Sequence, residues 1–139
     1  RCLVGSEMCI RDRNMPCLAE CGGFLYLHDA ITDIDGKEWA MVSAVHATAA
    51  YQGKLQSRFG YITLEDEQTG MQIRGHEFHY YDSTDHGQEW TARKPLSSRH
   101  WSCMHKQGNL LAGFPHLYYA SDPGFAAEWV QRCRQWRKE

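Results

Sequence analysis

The chain has 139 residues, enough for one ordinary domain and too few for two of useful size. Hydrophobic residues make up 42% and charged residues 23%, so a packed core is expected and wholesale disorder is excluded. The net charge is -2 with no polybasic run, and no stretch reaches the roughly 20 apolar residues of a membrane helix, which excludes nucleic acid and membrane as expected partners.

Residues 1–13 read RCLVGSEMCIRDR and lack the continuous apolar core, roughly 7–15 residues long, that marks a signal peptide. They resemble the conceptual translation of sequencing-adapter sequence and are expected to be non-native. The domain is therefore read over 14–139, with further native protein expected upstream of Asn14. The six cysteines, at 2, 9, 17, 21, 103 and 133, show neither paired CxxC spacing nor the density of a disulfide scaffold. Reduced thiols and a cytoplasmic location are expected.

The apolar run Met15-Pro16-Cys17-Leu18-Ala19 leads into Glu20-Cys21-Gly22-Gly23. Residues 24–31 contain no Gly or Pro and predict a helix. The expected unit is strand, tight glycine turn, helix, with a cysteine at the turn. A second apolar run, 39–45, predicts a strand, and 52–56 read as a mostly polar linker. Phe59, Tyr61, Ile62 and Leu64 precede the turn-like Glu65-Asp66-Glu67-Gln68-Thr69-Gly70, and Met71, Ile73 and the block Phe78-His79-Tyr80-Tyr81 follow it. Two β-rich runs around an acidic, Gly-ended loop predict antiparallel strands. After the polar loop 83–89, residues 90–104 and 110–119 are further strand candidates, separated by the turn signal Gln107-Gly108-Asn109. Asp122 is placed to cap a helix beginning at Pro123, where the missing proline N–H costs nothing. Phe125, Trp129, Val130, Cys133 and Trp136 recur near the helical period and predict its apolar face. Trp90, Trp101, Phe114 and Tyr119 are read as core.

The chemistry centres on Cys21. A cysteine between a strand and a helix start gains from backbone N–H groups and the positive dipole end, which favour the thiolate. Gly22 and Gly23 let the chain turn sharply and leave N–H groups accessible to a developing oxyanion. This is the cysteine counterpart of the nucleophile elbow. Local pattern alone equally allows a buried small hydrophobe beside a glycine turn. A thiol nucleophile also needs a base, and the histidines at 28, 46, 76, 79, 86, 100, 105 and 116 are all candidates, because such partners meet only in the fold. His76, Glu77 and His79 raise a rival metal-binding reading. Their spacing does not fit the two-His-plus-Glu helix motif, and an extended run would turn His76 and His79 to opposite sides. No metal is expected there.

The segment PCLAECGGFLYL resembles the nucleophile motif of the class I glutamine amidotransferase domain in the cobyrinic acid a,c-diamide synthase family. SRFGYITLED, IRGHEFHYYDS and NLLAGFPHLYYASDP, before a C-terminal amphipathic helix, agree in order and spacing, so the resemblance covers the chain from Asn14 to its end. It implies an α/β fold: the C-terminal part of a flavodoxin-like domain, with a mostly parallel central sheet and an antiparallel extension over about 57–104. It implies Cys21 as nucleophile, His116 as its activating base, and the Gly22 N–H as an oxyanion donor. Many class I glutaminases have a glutamate two residues after that histidine; this chain has Tyr118. A dyad is therefore expected, with Glu77 and His79 as candidate orienting or pocket residues.

The resemblance further implies glutamine as ammonia source and cobyrinic acid as the carboxylate amidated in cobalamin biosynthesis. ATP and Mg²⁺ are expected in an N-terminal domain outside this chain, because the chain has no GxxxxGK phosphate loop. Amidation of another tetrapyrrole, such as a nickel-sirohydrochlorin, and a fragment without turnover of its own are the alternatives. The latter follows if the second oxyanion donor lies on an upstream glycine-rich loop.

Overall fold

Short runs rich in β-branched and aromatic residues, cut at close intervals by turn residues, fold this chain mostly into strands. The computed structural model describes residues 13–137. The segment read as non-native therefore lies outside the described residues, apart from Arg13.

In chain order the elements begin with β1 (Cys17–Glu20), α1 (Gly22–Tyr26), β2 (Ala30–Thr32), β3 (Glu38–Ala40) and β4 (Thr48–Tyr51). They continue with β5 (Gly60–Asp66), β6 (Gln72–Glu77), β7 (Tyr81–Ser83), β8 (Trp90–Arg93), β9 (His100–Cys103), β10 (His105–Gln107), β11 (Leu110–Gly113) and β12 (His116–Leu117). A 3-10 turn at Tyr119–Ser121 leads into α2 (Pro123–Trp136). No described helix is long and apolar enough to cross a membrane.

Three sheets result, with strand orders β1-β11-β10, β12-β6-β5-β8-β9 and β3-β2-β4-β7. The five-stranded sheet is antiparallel throughout; four of its strands, β5, β6, β8 and β9, form the expected extension from Gly60 to Cys103, and β12 joins from outside it. The expectation of a mostly parallel central sheet is corrected. Among the described residues only β1–β11 and β2–β4 pair in parallel, and every other pair is antiparallel.

Two further expectations need correction, and tertiary pairing explains both. The helix expected over 24–31 stops at Tyr26. The His28 ring turns back onto the Phe24 carbonyl (Nδ1 to O, 2.9 Å), and Ala30–Thr32 are recruited as β2 between β3 and β4. The run expected as a strand over 39–45 is strand only to Ala40. Val42 and Val45 are buried all the same, while Trp39 and Ala40 are exposed; the loop lies along the α1–β2 segment through Met41 N to Asp29 O and Val45 N to Leu27 O.

Alternation in β6 sends Ile73, Gly75 and Glu77 inward and leaves Gln72, Arg74 and His76 outside. Ile73 joins Leu64, Trp90, Met104 and Phe125 in one buried cluster, while Phe24, Leu27, Ala112 and Phe114 form a second around α1 and the parallel pair. Each fully buried aliphatic or aromatic side chain contributes about 1.5–3 kcal/mol. Asp122 caps α2 as expected, its carboxylate accepting from Gly124 N at 3.0 Å and Phe125 N at 3.3 Å. The packing face of α2 is Phe125, Trp129 and Trp136; Val130 and Cys133, expected on that face, are exposed.

Candidate active site

The parallel pair β1–β11 runs Cys17 opposite Leu110 to Glu20 opposite Gly113. The chain therefore leaves two neighbouring strands at the same sheet edge, the edge where open α/β sheets gather their ligands. Cys21 is the first residue past one strand end, and His116 lies three residues past the other.

Cys21 has φ 48 and ψ -105, a left-handed backbone that a residue with a side chain rarely adopts. Such a conformation costs on the order of 1–3 kcal/mol and persists only when its surroundings impose it. Here the Cys21 N–H is tied to the Gly113 carbonyl at 2.8 Å, and the Cys21 carbonyl accepts the Leu25 N–H at 3.0 Å. One residue thus ends β1 and starts α1, the strained strand-to-helix turn of a nucleophile elbow. A Cβ added at Gly22 would meet nothing within 4 Å, so the space beside the cysteine is open.

The thiol is half-buried, and its Sγ lies 3.9 Å from the Phe78 carbonyl oxygen. Burial pushes the Cys21 thiol above its ordinary value; the Gly22 N–H opposes this, and the charges of Glu77 and Glu20 reinforce it. The Gly22 N–H favours the thiolate as expected, and burial with the two carboxylates outweighs it. A thiol so placed needs a base to ionise it.

His116 sits opposite His76 in the β12–β6 pair, with the two rings edge to face at 4.9 Å. Its Nδ1 is 3.8 Å from Glu20 Oε2, and its side chain is 41% exposed. Burial, then the neighbouring His76, lowers the His116 pKa, while Glu20 and Glu77 pull it upward. The net direction keeps the imidazole neutral, as a base requires. Gly75 makes this placement possible: a Cβ there would fall inside contact distance of the His116 carbonyl oxygen and 2.9 Å from Leu64 Cδ1. His116, His76, Arg74, Tyr61, Tyr118 and Pro95 wall a cleft of about 660 Å³ on the open face of the five-stranded sheet.

Glu77 and His79 come together, but with each other. His79 Nε2 lies 2.8 Å from Glu77 Oε1 and its Nδ1 lies 2.5 Å from the Tyr81 carbonyl oxygen, and Trp101 Nε1 donates to Glu77 Oε2 at 3.0 Å. Both side chains are almost fully buried, and Phe114 stacks flat on His79 at 3.8 Å. Glu77 orients a histidine, as the sequence allowed, and that histidine is His79. His76 is exposed and His79 buried.

No hydrogen bond joins Cys21 to His116 among the described residues; the carboxylate within 4.0 Å of the His116 ring is Glu20. Tyr119, expected in the core, is instead part-exposed and donates its hydroxyl to Glu20 Oε1. Sequence reasoning did not single out Glu20 or Tyr119. The available signal was the absent glutamate at Tyr118, which calls for a carboxylate elsewhere.

Residues 9–124 match the CobB/CobQ-like glutamine amidotransferase domain. The chain is 39% identical over 116 residues to a cobyrinate a,c-diamide synthase of Herminiimonas arsenicoxydans, covering 83% of this chain and 26% of that protein. It is 36% identical over 114 residues to the Fusobacterium nucleatum protein of the same name, covering 80% and 26%. It is 31% identical over 130 residues to that of Caldanaerobacter subterraneus, covering 88% and 28%. The chain thus spans about a quarter of the length of the curated relatives it matches.

Proposed function

The chain belongs to the CobB/CobQ-like glutamine amidotransferase domain family, and from that premise we propose that it is the glutaminase portion of a cytoplasmic, ATP-dependent ligase that amidates the a and c carboxylates of cobyrinic acid in cobalamin biosynthesis. The observation that carries this reading is the left-handed Cys21 at the end of β1, with His116 at the exit of the strand paired to it. The parallel β1–β11 pair followed directly by α1 supports a flavodoxin-like core.

The chemistry closes with these residues. His116 takes the Cys21 proton, and the sulfur attacks the side-chain carbonyl carbon of glutamine. The Gly22 N–H donates to the oxygen that becomes negative. The C–N bond breaks as His116 returns the proton to the departing nitrogen, releasing ammonia and leaving a γ-glutamyl thioester. Water then attacks that thioester, giving one proton to His116, and the C–S bond breaks. Glutamate leaves and Cys21 recovers its proton. The sum is glutamine plus water to glutamate plus ammonia, with no redox change.

ATP with Mg²⁺ would activate the acceptor carboxylate elsewhere in such a ligase. The described residues do not fit that role. The two G-x-x-x-x-G spacings, Gly70–Gly75 and Gly108–Gly113, are followed by His76 and Phe114 where a phosphate loop needs lysine, and each ends inside a strand. The test is glutamate formation from glutamine by the full-length protein, with cobyrinic acid diamide accumulating when ATP and cobyrinic acid are supplied. Absence of both products would overturn the reading.

A further inference from the structure

We propose that Glu20 is the positioning residue of this glutaminase: its carboxylate, fixed by the Tyr119 hydroxyl, holds His116 through Nδ1 and replaces the glutamate that this chain lacks at Tyr118. The inference rests on the glutaminase reading and adds a third member to its dyad.

Three placements converge. Glu20 is the last residue of β1 and is held in register with Gly113, three residues before His116. Tyr119 lies three residues after His116, and its ring stacks on Phe125 of α2 at 6.0 Å, so the phenol arrives from a packed position. The hydroxyl takes Oε1, which leaves Oε2 facing the His116 ring at 3.8 Å. The carboxylate is only 19% exposed, and among the described residues no Lys or Arg lies within 4.0 Å of it. A shielded carboxylate without a basic partner is costly unless something compensates it. His116 compensates it when the ring takes up the Cys21 proton, and the separation then closes to a charge-assisted hydrogen bond.

The remaining charges around the ring work with this arrangement. His76 from β6 meets it edge-on, and Glu77 and His79 stand behind it in the buried pair. Glu20 raises both the His116 imidazole and the Cys21 thiol. Removing its charge therefore leaves a thiol that ionises more easily beside a base that is held less well. A residue that merely braces the strand would not give that combination.

The experiment compares Glu20→Gln, Glu20→Asp, Tyr119→Phe and Cys21→Ala in the full-length protein. It reads glutamine-dependent kcat and KM, synthesis with added ammonia, and the pH midpoint of Cys21 alkylation by iodoacetamide. Glu20→Gln is expected to lower glutamine-dependent kcat on the order of 10²-fold, the lower range for a positioned acid–base group. KM should stay close to the parental value, and the alkylation midpoint should move to lower pH. Glu20→Asp should recover part of the loss, and Tyr119→Phe should fall between parent and Glu20→Gln. Parental kcat in Glu20→Gln beside an inactive Cys21→Ala would overturn the role of Glu20 and leave the glutaminase reading standing. Parallel loss of glutamine- and ammonia-dependent synthesis in Glu20→Gln would mark a structural role and overturn it too. Glutamine-dependent activity surviving in Cys21→Ala would instead overturn the glutaminase reading itself.

Discussion

Cys21→Ala in the full-length protein should abolish glutamine-dependent amidation and leave amidation with added ammonia intact. The split follows from the chemistry, because only the release of ammonia from glutamine needs the thiol. Removing a nucleophile of this kind costs on the order of 10⁶-fold in kcat, since the remaining groups have no covalent route left to assist. The substitution is also mild for the fold. Cys21 is only half-buried, and alanine keeps the backbone ties to Gly113 and Leu25, although it inherits the left-handed conformation. Parallel rates with glutamine and ammonia in parent and variant would remove Cys21 from the mechanism.

His116→Asn should slow capture of Cys21 by a glutamine-mimicking electrophile on the order of 10²- to 10⁴-fold, the range of a positioned acid–base group. The pH dependence sharpens the expectation. In the parent, capture should persist below the ordinary histidine range, because burial and His76 hold the His116 imidazole neutral there. In the variant that acid limb should vanish. Capture should then simply rise toward alkaline pH with the thiol, which burial holds above an ordinary cysteine. Equal capture rates in parent and variant would move the base elsewhere. His76, edge-on to His116, would be next; His79 has both ring nitrogens committed to the Tyr81 carbonyl and Glu77.

What the sequence revealed about fold and site divides along physical lines. Local signals were readable where local chemistry decides. Asp122 before Pro123 announced α2, and Gly108 marks the β10–β11 turn with a φ of 57. The alternation of Ile62, Leu64 and Ile73 with polar neighbours announced the antiparallel strands. Signals failed where distant pairing overrides local preference. Residues 27–31 were read as helix for want of Gly or Pro, but the Ala47 carbonyl takes the Asp29 N–H and β4 takes Ile31. Cys21 and His116 could be proposed from sequence because each stands in a recognisable block. The Glu20–His116–Tyr119 contact was not, since it joins side chains from β1, β12 and the 3-10 turn, and no spacing in one segment records it. Glu77 and His79, read as orienting or pocket residues, lie buried against each other, a pairing that two residues of separation could not assign.

The most direct measurement is trapping of the covalent intermediate. The full-length protein is mixed with isotopically labelled glutamine, quenched in acid within one turnover, digested and mapped by mass spectrometry. The account predicts a γ-glutamyl group on the peptide carrying Cys21, released by hydroxylamine as a thioester should be, and missing from Cys21→Ala. Label localised to Cys17, Cys103 or Cys133 itself, or steady glutamate formation with no label on Cys21, would contradict it.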